Sequence, residues 1–261
     1  ILLPANPDGS YKMDKNALHI WPRGRFMMIA LANEDGSFTG TLFMPHENHK
    51  YAFDKLKTKG DVDVFFKDVF PDFYEMMPNI GDAGQDHPLS SLAIIRCHPW
   101  THGKGALMGD SAHATVPFYG QGMNSGFEDC TVLNDLMIKH NENWEAVFKE
   151  YNETRKPDGD ALQDLSLDNY YEMRDYVADE GFLLRKKIEA KYTELYPKKW
   201  LPLYSQVTFS TIPYHVAYNQ GKIQDSIMDE VMNMPDIDNI WDSEEVMNRI
   251  AEKSEHFNFE V

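Results

Sequence analysis

Positive charge is scarce in this chain of 261 residues. Its 25 lysines and arginines stand against 42 aspartates and glutamates, a formal net charge of −17. Nucleic acids and anionic membrane surfaces both need a basic footprint, so the charge argues against either as a partner. Cysteine is scarcer still. Cys97 and Cys130 cannot build a disulfide framework. Each sits among apolar neighbours and is expected as a small buried hydrophobe in a reducing, cytoplasmic compartment. No apolar run reaches the roughly 18–20 residues of a membrane span, and no signal peptide opens the chain, so a soluble protein is expected. Metal-ligand spacing is missing too. His46 and His49 lack a further donor nearby, and His98 and His102 merely flank Trp100 on a turn, whereas a zinc site needs three or four donors. No metal is expected. There is no nucleophile–base pair, no internal repeat and no low-complexity segment.

Aromatic residues are plentiful at 13%, which argues against disorder. The length suffices for one or two domains. The stretch that organises the rest is 109–130, GDSAHATVPFYGQGMNSGFEDC. It follows the apolar run Ala106-Leu107-Met108, turns through Pro117, Gly120, Gly122 and Gly126, and opens a helix near residue 123. Glycines let backbone approach a ligand, and a helix N-terminus offers unpaired N–H groups to an anion. An aspartate at a strand end can accept hydrogen bonds from sugar hydroxyls. These features suggest a phosphate- or dinucleotide-bearing cofactor. A tight strand-to-helix turn, with glycines only for geometry, is the alternative.

Around this stretch the chain reads in order. Runs 17–21, 25–32 and 37–44 are β-rich, with Asn33-Glu34-Asp35-Gly36 as a hairpin turn. The middle run is apolar on both faces, and both are expected to be covered, one by a core and the other by a ligand or by protein alone. Tyr51, Phe53, Leu56, Val62, Phe65, Phe66 and Val69 recur at helical spacing over 46–80. Residues 82–90 read as a loop, 92–96 as a strand and 105–108 as a short strand. Helices are expected over 123–140, with Phe127, Val132, Leu133 and Leu136 inward, over 143–155 and over 160–178. Pro157-Asp158-Gly159 marks a break or a new start between the last two. Further helices are expected over 180–195, from Pro213 to about 234, and over 244–256, with 200–209 irregular.

The 109–130 stretch resembles the second flavin motif of the FAD-dependent aromatic hydroxylases, GD-x-x-H-x-x-x-P-x-x-G-x-G-x-N, and within that family its kynurenine-hydroxylating branch. Further blocks carry the resemblance in order: Leu18-His19-Ile20-Trp21-Pro22-Arg23, Thr41-Leu42-Phe43-Met44-Pro45, Asn169-Tyr170-Tyr171-Glu172-Met173-Arg174 and Pro202-Leu203-Tyr204. The resemblance implies an α/β fold, α+β within this chain. It divides into a substrate-domain sheet with helices (1–98), a returning part of the FAD-binding domain (99–155) and a helical cap or lid (156–261). FAD is the implied cofactor and NADPH the co-substrate. L-kynurenine and O2 are the implied reactants, one oxygen atom going to a ring carbon beside the amino group.

By the same resemblance, Asp110 accepts from the ribityl chain, and Gly122, Met123 and Asn124 offer backbone N–H groups to the cofactor. Pro117, Phe118 and Gln121 face the flavin ring, with Phe118 and Gln121 the candidates nearest the reacting ring. Asn169, Tyr204 and Glu172 are the candidates for the amino-acid end of the substrate. His113 matches a family position, yet it could simply satisfy backbone groups. The family's first fingerprint, G-x-G-x-x-G, is not found. The chain is therefore expected to be the C-terminal part of a longer enzyme, with an N-terminal Rossmann half as its implied partner. Its acidic tail resembles bacterial members that carry no membrane anchor. A homodimer is compatible with the sequence, which sets no oligomeric state. Another flavin aromatic hydroxylase, or a non-catalytic half-protein acting as an interaction module, remain the alternatives.

Overall fold

A computed structural model describes residues 1–83 and 89–259. The chain separates into two compact units, Ile1–Ser91 with Tyr171–Ala178, and Leu92–Tyr170 with Asp179–Val261. Helix dominates and every strand pairing among the described residues is antiparallel. This is the expected mixture of helix and sheet.

The first unit is built on a four-stranded sheet in the order β1-β4-β3-β2. The strands are β1 (Leu2–Leu3), β2 (His19–Pro22), β3 (Met27–Ala32) and β4 (Phe38–Phe43). The β3–β4 hairpin turns at Gly36, whose φ is +86° and where a Cβ would meet the Gly9 carbonyl oxygen at 2.6 Å. Only glycine fits there. Asp35 Oδ1 closes the turn by accepting from the Ser37 amide at 3.0 Å. Helix α1 (Lys59–Val69) starts in a reciprocal cap between Thr58 and Asp61. Its Val62, Phe65, Phe66 and Val69 pack with Phe26, Met28 and Phe38 in one core. Each such side chain contributes roughly 1.5–3 kcal/mol by leaving water. The β3 strand is buried on both faces only where it begins, at Met27 and Met28. Leu31 is half exposed, so the expected double cover is partial. Helices α2 (Pro71–Met76) and α3 (Ile80–Ala83) complete the run. Of the loop expected over 82–90, residues 84–88 lie outside the described residues, while Asp82 and Ala83 end α3.

The second unit carries residues 109–130. A small hairpin of β5 (Thr101–His102) and β6 (Gly105–Ala106) leads into α4 (Asp110–His113) and α5 (Gly122–Lys139). The strand expected at 92–96 is not formed. That segment is held by the Ile95 amide, which donates to the Ala114 carbonyl at 3.1 Å, and by side chains: Arg96 Nε donates to Gln163 at 2.8 Å and its Nη2 to Asp164 at 2.7 Å. Nor does the chain break at Pro157, because α6 runs unbroken over Trp144–Tyr171. A proline in a helix interior costs about 3 kcal/mol. Tertiary contacts offset it here. Arg155 and Asp158 are buried in ion pairs, and Gly159 lies so close to Trp100 that a Cβ would meet the indole at 2.7 Å.

Helices α7 (Glu180–Leu195), α8 (Leu203–Phe209), α9 (Tyr214–Met232), α10 (Ile237–Ile240) and α11 (Glu244–Lys253) follow. The irregular stretch expected at 200–209 contains α8, which begins directly after Pro202. Ile188, Tyr192, Trp200, Met228, Val231 and Ile250 form the core between α7, α9 and α11.

Candidate functional site

Gly109 turns the chain sharply, with φ 55° and ψ −139°. An L side chain is strained there, so glycine is required. Its carbonyl accepts the amides of Ala112 and His113, both at 2.9 Å, which winds the four residues from Asp110 into α4. Asp110 stands exposed as the first residue of that turn.

Eleven residues on, Gln121 caps α5 and Gly122 begins it. The first intrahelical bond runs from the Ser125 amide to the Gln121 carbonyl at 2.9 Å. The amides of Gly122, Met123 and Asn124 precede it, as donors at the positive end of an 18-residue helix. Asp110 and this helix start line one open cleft of about 700 Å³, with Thr115, Pro117, Met123 and Phe127. Its size suits a cofactor or a drug-sized ligand. Gly126 packs on the turn, and a Cβ there would lie 3.6 Å from the Gly109 Cα.

The donor set can be read chemically. Asp110 offers a carboxylate acceptor, and the first turn of α5 offers amide donors. Met123 and Phe127, exposed at 70% and 65%, offer an apolar edge. Thr115 Oγ1 is a buried oxygen without a hydrogen-bond partner among the described residues. This set fits a ligand that joins a hydroxylated chain and an anionic group to a flat ring, as FAD does. The expectation that Phe127 faces inward does not hold, and Cys130 is exposed at the cleft rather than buried.

Beneath the cleft lies a buried ionic hub that the sequence did not disclose. Asp129, on α5, is fully buried. Its Oδ2 accepts from the Gly109 amide at 2.9 Å and from His113 Nε2 at 2.6 Å. Its Oδ1 accepts from Arg155 Nε at 2.8 Å. Burial alone would raise the Asp129 carboxyl, but the bonds from His113, Gly109 and Arg155 outweigh it and hold the group below the ordinary carboxylate range. Arg155 also donates to Ser125 and pairs with Asp158, which accepts in turn from the amide and Nδ1 of His215. His113 therefore bonds to a carboxylate instead of satisfying backbone groups. Its partners are 16 and more residues away in sequence, so no spacing rule points to them.

The loop between Asp110 and α5 gathers most of the other expected residues. Phe118 is buried, with its ring 4.6 Å from that of Tyr170. Asn169 donates its side-chain amide to the Phe118 carbonyl at 2.7 Å. Gln121 is also buried, and its Oε1 accepts from Asn124 at 2.9 Å and from the Tyr214 hydroxyl at 3.4 Å. Burial, reinforced by Glu128 and Asp158, pushes the Tyr214 phenol up to about 12, so it stays a donor at neutral pH. Tyr204 is half exposed and stacks on Tyr119 with centroids 5.6 Å apart. Pro117 is exposed on the cleft wall. Glu172 is described apart from these residues. It belongs to the first unit, where its carbonyl accepts from the Val177 amide at 3.2 Å.

Residues 90–166, which contain the Gly109 turn, the loop and α5, match the family model described as FAD binding domain. Over 251 residues the chain is 49% identical to a protein of Flavobacterium psychrophilum named kynurenine 3-monooxygenase, covering 96% of this chain and 56% of that protein. A protein of the same name from Flavobacterium johnsoniae is 50% identical over the same shares. One from Dictyostelium discoideum is 41% identical over 92% of this chain and 55% of its own length. The chain thus spans little more than half the length of the curated relatives it matches.

Proposed function

We propose that this chain, homologous over 96% of its length to proteins named kynurenine 3-monooxygenase, supplies part of the FAD site and the substrate side of a flavin-dependent aromatic hydroxylase. The reaction proposed is the NADPH- and O2-dependent hydroxylation of L-kynurenine to 3-hydroxykynurenine. One observation carries the reading: the Asp110 carboxylate and the start of α5 line a single cleft of about 700 Å³.

FAD, when bound, supplies the redox chemistry that moves an oxygen atom from O2 to the ring; the protein's part is binding, orientation and exclusion of water. Asp110 accepts hydrogen bonds from the ribityl hydroxyls. Gly122, Met123 and Asn124 present amides to the polar edge of the flavin or to its phosphates. Pro117 forms the wall beside them. Phe118 and Gln121 set the ring-facing surface of the loop. Asn169 and Tyr204 serve the substrate end, and Glu172 is the further candidate there. Support for a covering role of the helices after residue 156 comes from two contacts onto this loop. Tyr204 stacks on Tyr119, and the Tyr214 hydroxyl reaches Gln121. Among the described residues no helix is long and apolar enough to cross a membrane. The cytoplasm is the proposed location, supported by the acidic charge and by two cysteines that form no disulfide.

The test is titration of FAD into the intact natural apoprotein, read by visible absorbance, followed by addition of L-kynurenine. Saturable uptake near one FAD per chain and a shift of the flavin bands on adding kynurenine are expected. Failure to take up FAD would refute the flavin reading. Uptake with no response to kynurenine would refute the substrate.

A further inference from the structure

The hub beneath the cleft places one carboxylate oxygen against both ends of α4. Asp129 Oδ2 accepts from the Gly109 amide, just ahead of Asp110, and from the ring of His113, the last residue of that turn. We propose that Asp129 is a positioning residue, which through Gly109 and His113 fixes the direction in which Asp110 presents its carboxylate to the hydroxylated chain of the cofactor. This rests on the flavin reading above and deepens it.

Four observations carry the inference. The bonds within α4 are local: the amides of Ala112 and His113 both return to the Gly109 carbonyl. They shape the turn but cannot orient it against α5. Asp129 does so, because it stands on α5, seven residues after Gly122, which lines the same cleft. One side chain therefore keys the two backbone segments that line the cleft. Secondly, Gly109 adopts its conformation without strain but is not confined to it, so the hydrogen bond to its amide helps to fix the direction of the turn. Thirdly, His113 is itself clamped, with the Trp100 ring 5.1 Å away and Gly159 close behind it. The Trp100 ring limits how far the His113 ring can turn from Asp129. Fourthly, Asp129, His113 and Arg155 are all buried at the level of 2% exposure or less. Buried ion pairs are weak contributors to net stability compared with apolar residues of the same shape. Directional bonds, in contrast, specify where a turn points.

The test is a double-mutant cycle on FAD affinity in the intact apoprotein, with circular dichroism confirming that each variant is folded. Asp129→Asn is expected to weaken FAD binding about tenfold or more, but less than about threefold when Asp110 is already alanine, because both residues act through one contact. His113→Leu should behave like Asp129→Asn. His113→Gln keeps an N–H donor and should stay within about threefold of wild type. Losses of equal size with and without Asp110, or affinities within about twofold of wild type for folded Asp129→Asn and His113→Leu, would overturn the proposal and leave the hub a packing device. Where Asp129→Asn does not fold, the same cycle run with the two His113 variants decides the matter. Wild-type protein that binds no FAD at all is a different result, and it removes the flavin reading itself.

Discussion

Asn169 holds the loop that carries Phe118 and Gln121: its side-chain amide donates to the Phe118 carbonyl at 2.7 Å, across 51 residues of sequence. The bond joins α6 to the wall of the proposed ring-binding surface. Asn169→Ala removes a contact worth about 1 kcal/mol, or about fivefold in an equilibrium. Kynurenine binding should weaken by about that factor while FAD affinity changes by less than about twofold, since Asp110 and α5 are untouched. Ligand titration of the FAD-loaded protein checks both. Loss of FAD with unchanged kynurenine affinity would place Asn169 on the wrong side of the site.

Asp129 makes stability depend on pH in one direction. Its folded carboxyl lies below the ordinary range, so acid protonates the unfolded chain first. Its contribution is complete above the unfolded value of about 3.9 and is lost as pH falls from there through the folded value. Urea midpoints measured by tryptophan fluorescence should fall more steeply with acid in wild type than in Asp129→Asn. The variant should already be weakened at neutral pH by about 3 kcal/mol, because Arg155 loses its fully buried partner.

Two glycines should respond oppositely to substitution. At Gly159, inside α6, alanine has the better helix propensity, by about 1 kcal/mol. Its Cβ would nevertheless meet Trp100 at 2.7 Å and His113 at 3.1 Å. Overpacking wins, so Gly159→Ala should destabilise by about 1–3 kcal/mol. At Gly60, in the first turn of α1, the nearest atom to a Cβ is Thr58 Oγ1 at 3.8 Å. Gly60→Ala should stabilise the first unit by about 0.5 kcal/mol. Chemical denaturation of both variants tests the signs.

Cys130 is exposed and lines the cleft, whereas Cys97 is half-buried with its thiol directed to the Ala112 carbonyl at 3.5 Å. A thiol reagent should label Cys130 first, and saturating FAD should slow that labelling. Peptide mapping after a short exposure reads which cysteine reacted. Equal labelling with and without FAD would argue that the cofactor does not cover this part of the cleft.

The sequence is most legible where a rule acts over a few residues. The hairpin at Asn33–Gly36, the Phe65–Phe66 face of α1 and the Gly122 start of α5 all follow from local spacing or turn chemistry. Reading failed where distant contacts override a local preference. Pro157 should end a helix, yet Arg155, Asp158 and Gly159 are bound on both sides of it and α6 continues. Residues 92–96 look like a strand, but Arg96 is tied to Gln163 and Asp164 by side chains. Phe127 follows the helical period of a core residue and is 65% exposed beside the cleft. That Asp110 and the start of α5 share one cleft was legible because one continuous motif holds them. Asp129, Arg155 and His215 were not, because their bonds span 26 and 57 residues.

The most direct measurement is the mass of the product. The intact natural protein, loaded with FAD and supplied with NADPH, air and L-kynurenine, should yield kynurenine heavier by one oxygen atom. Isotopically labelled O2 should appear in that product, on the ring carbon beside the amino group. FAD uptake and NADPH oxidation without any oxygenated kynurenine would contradict the account.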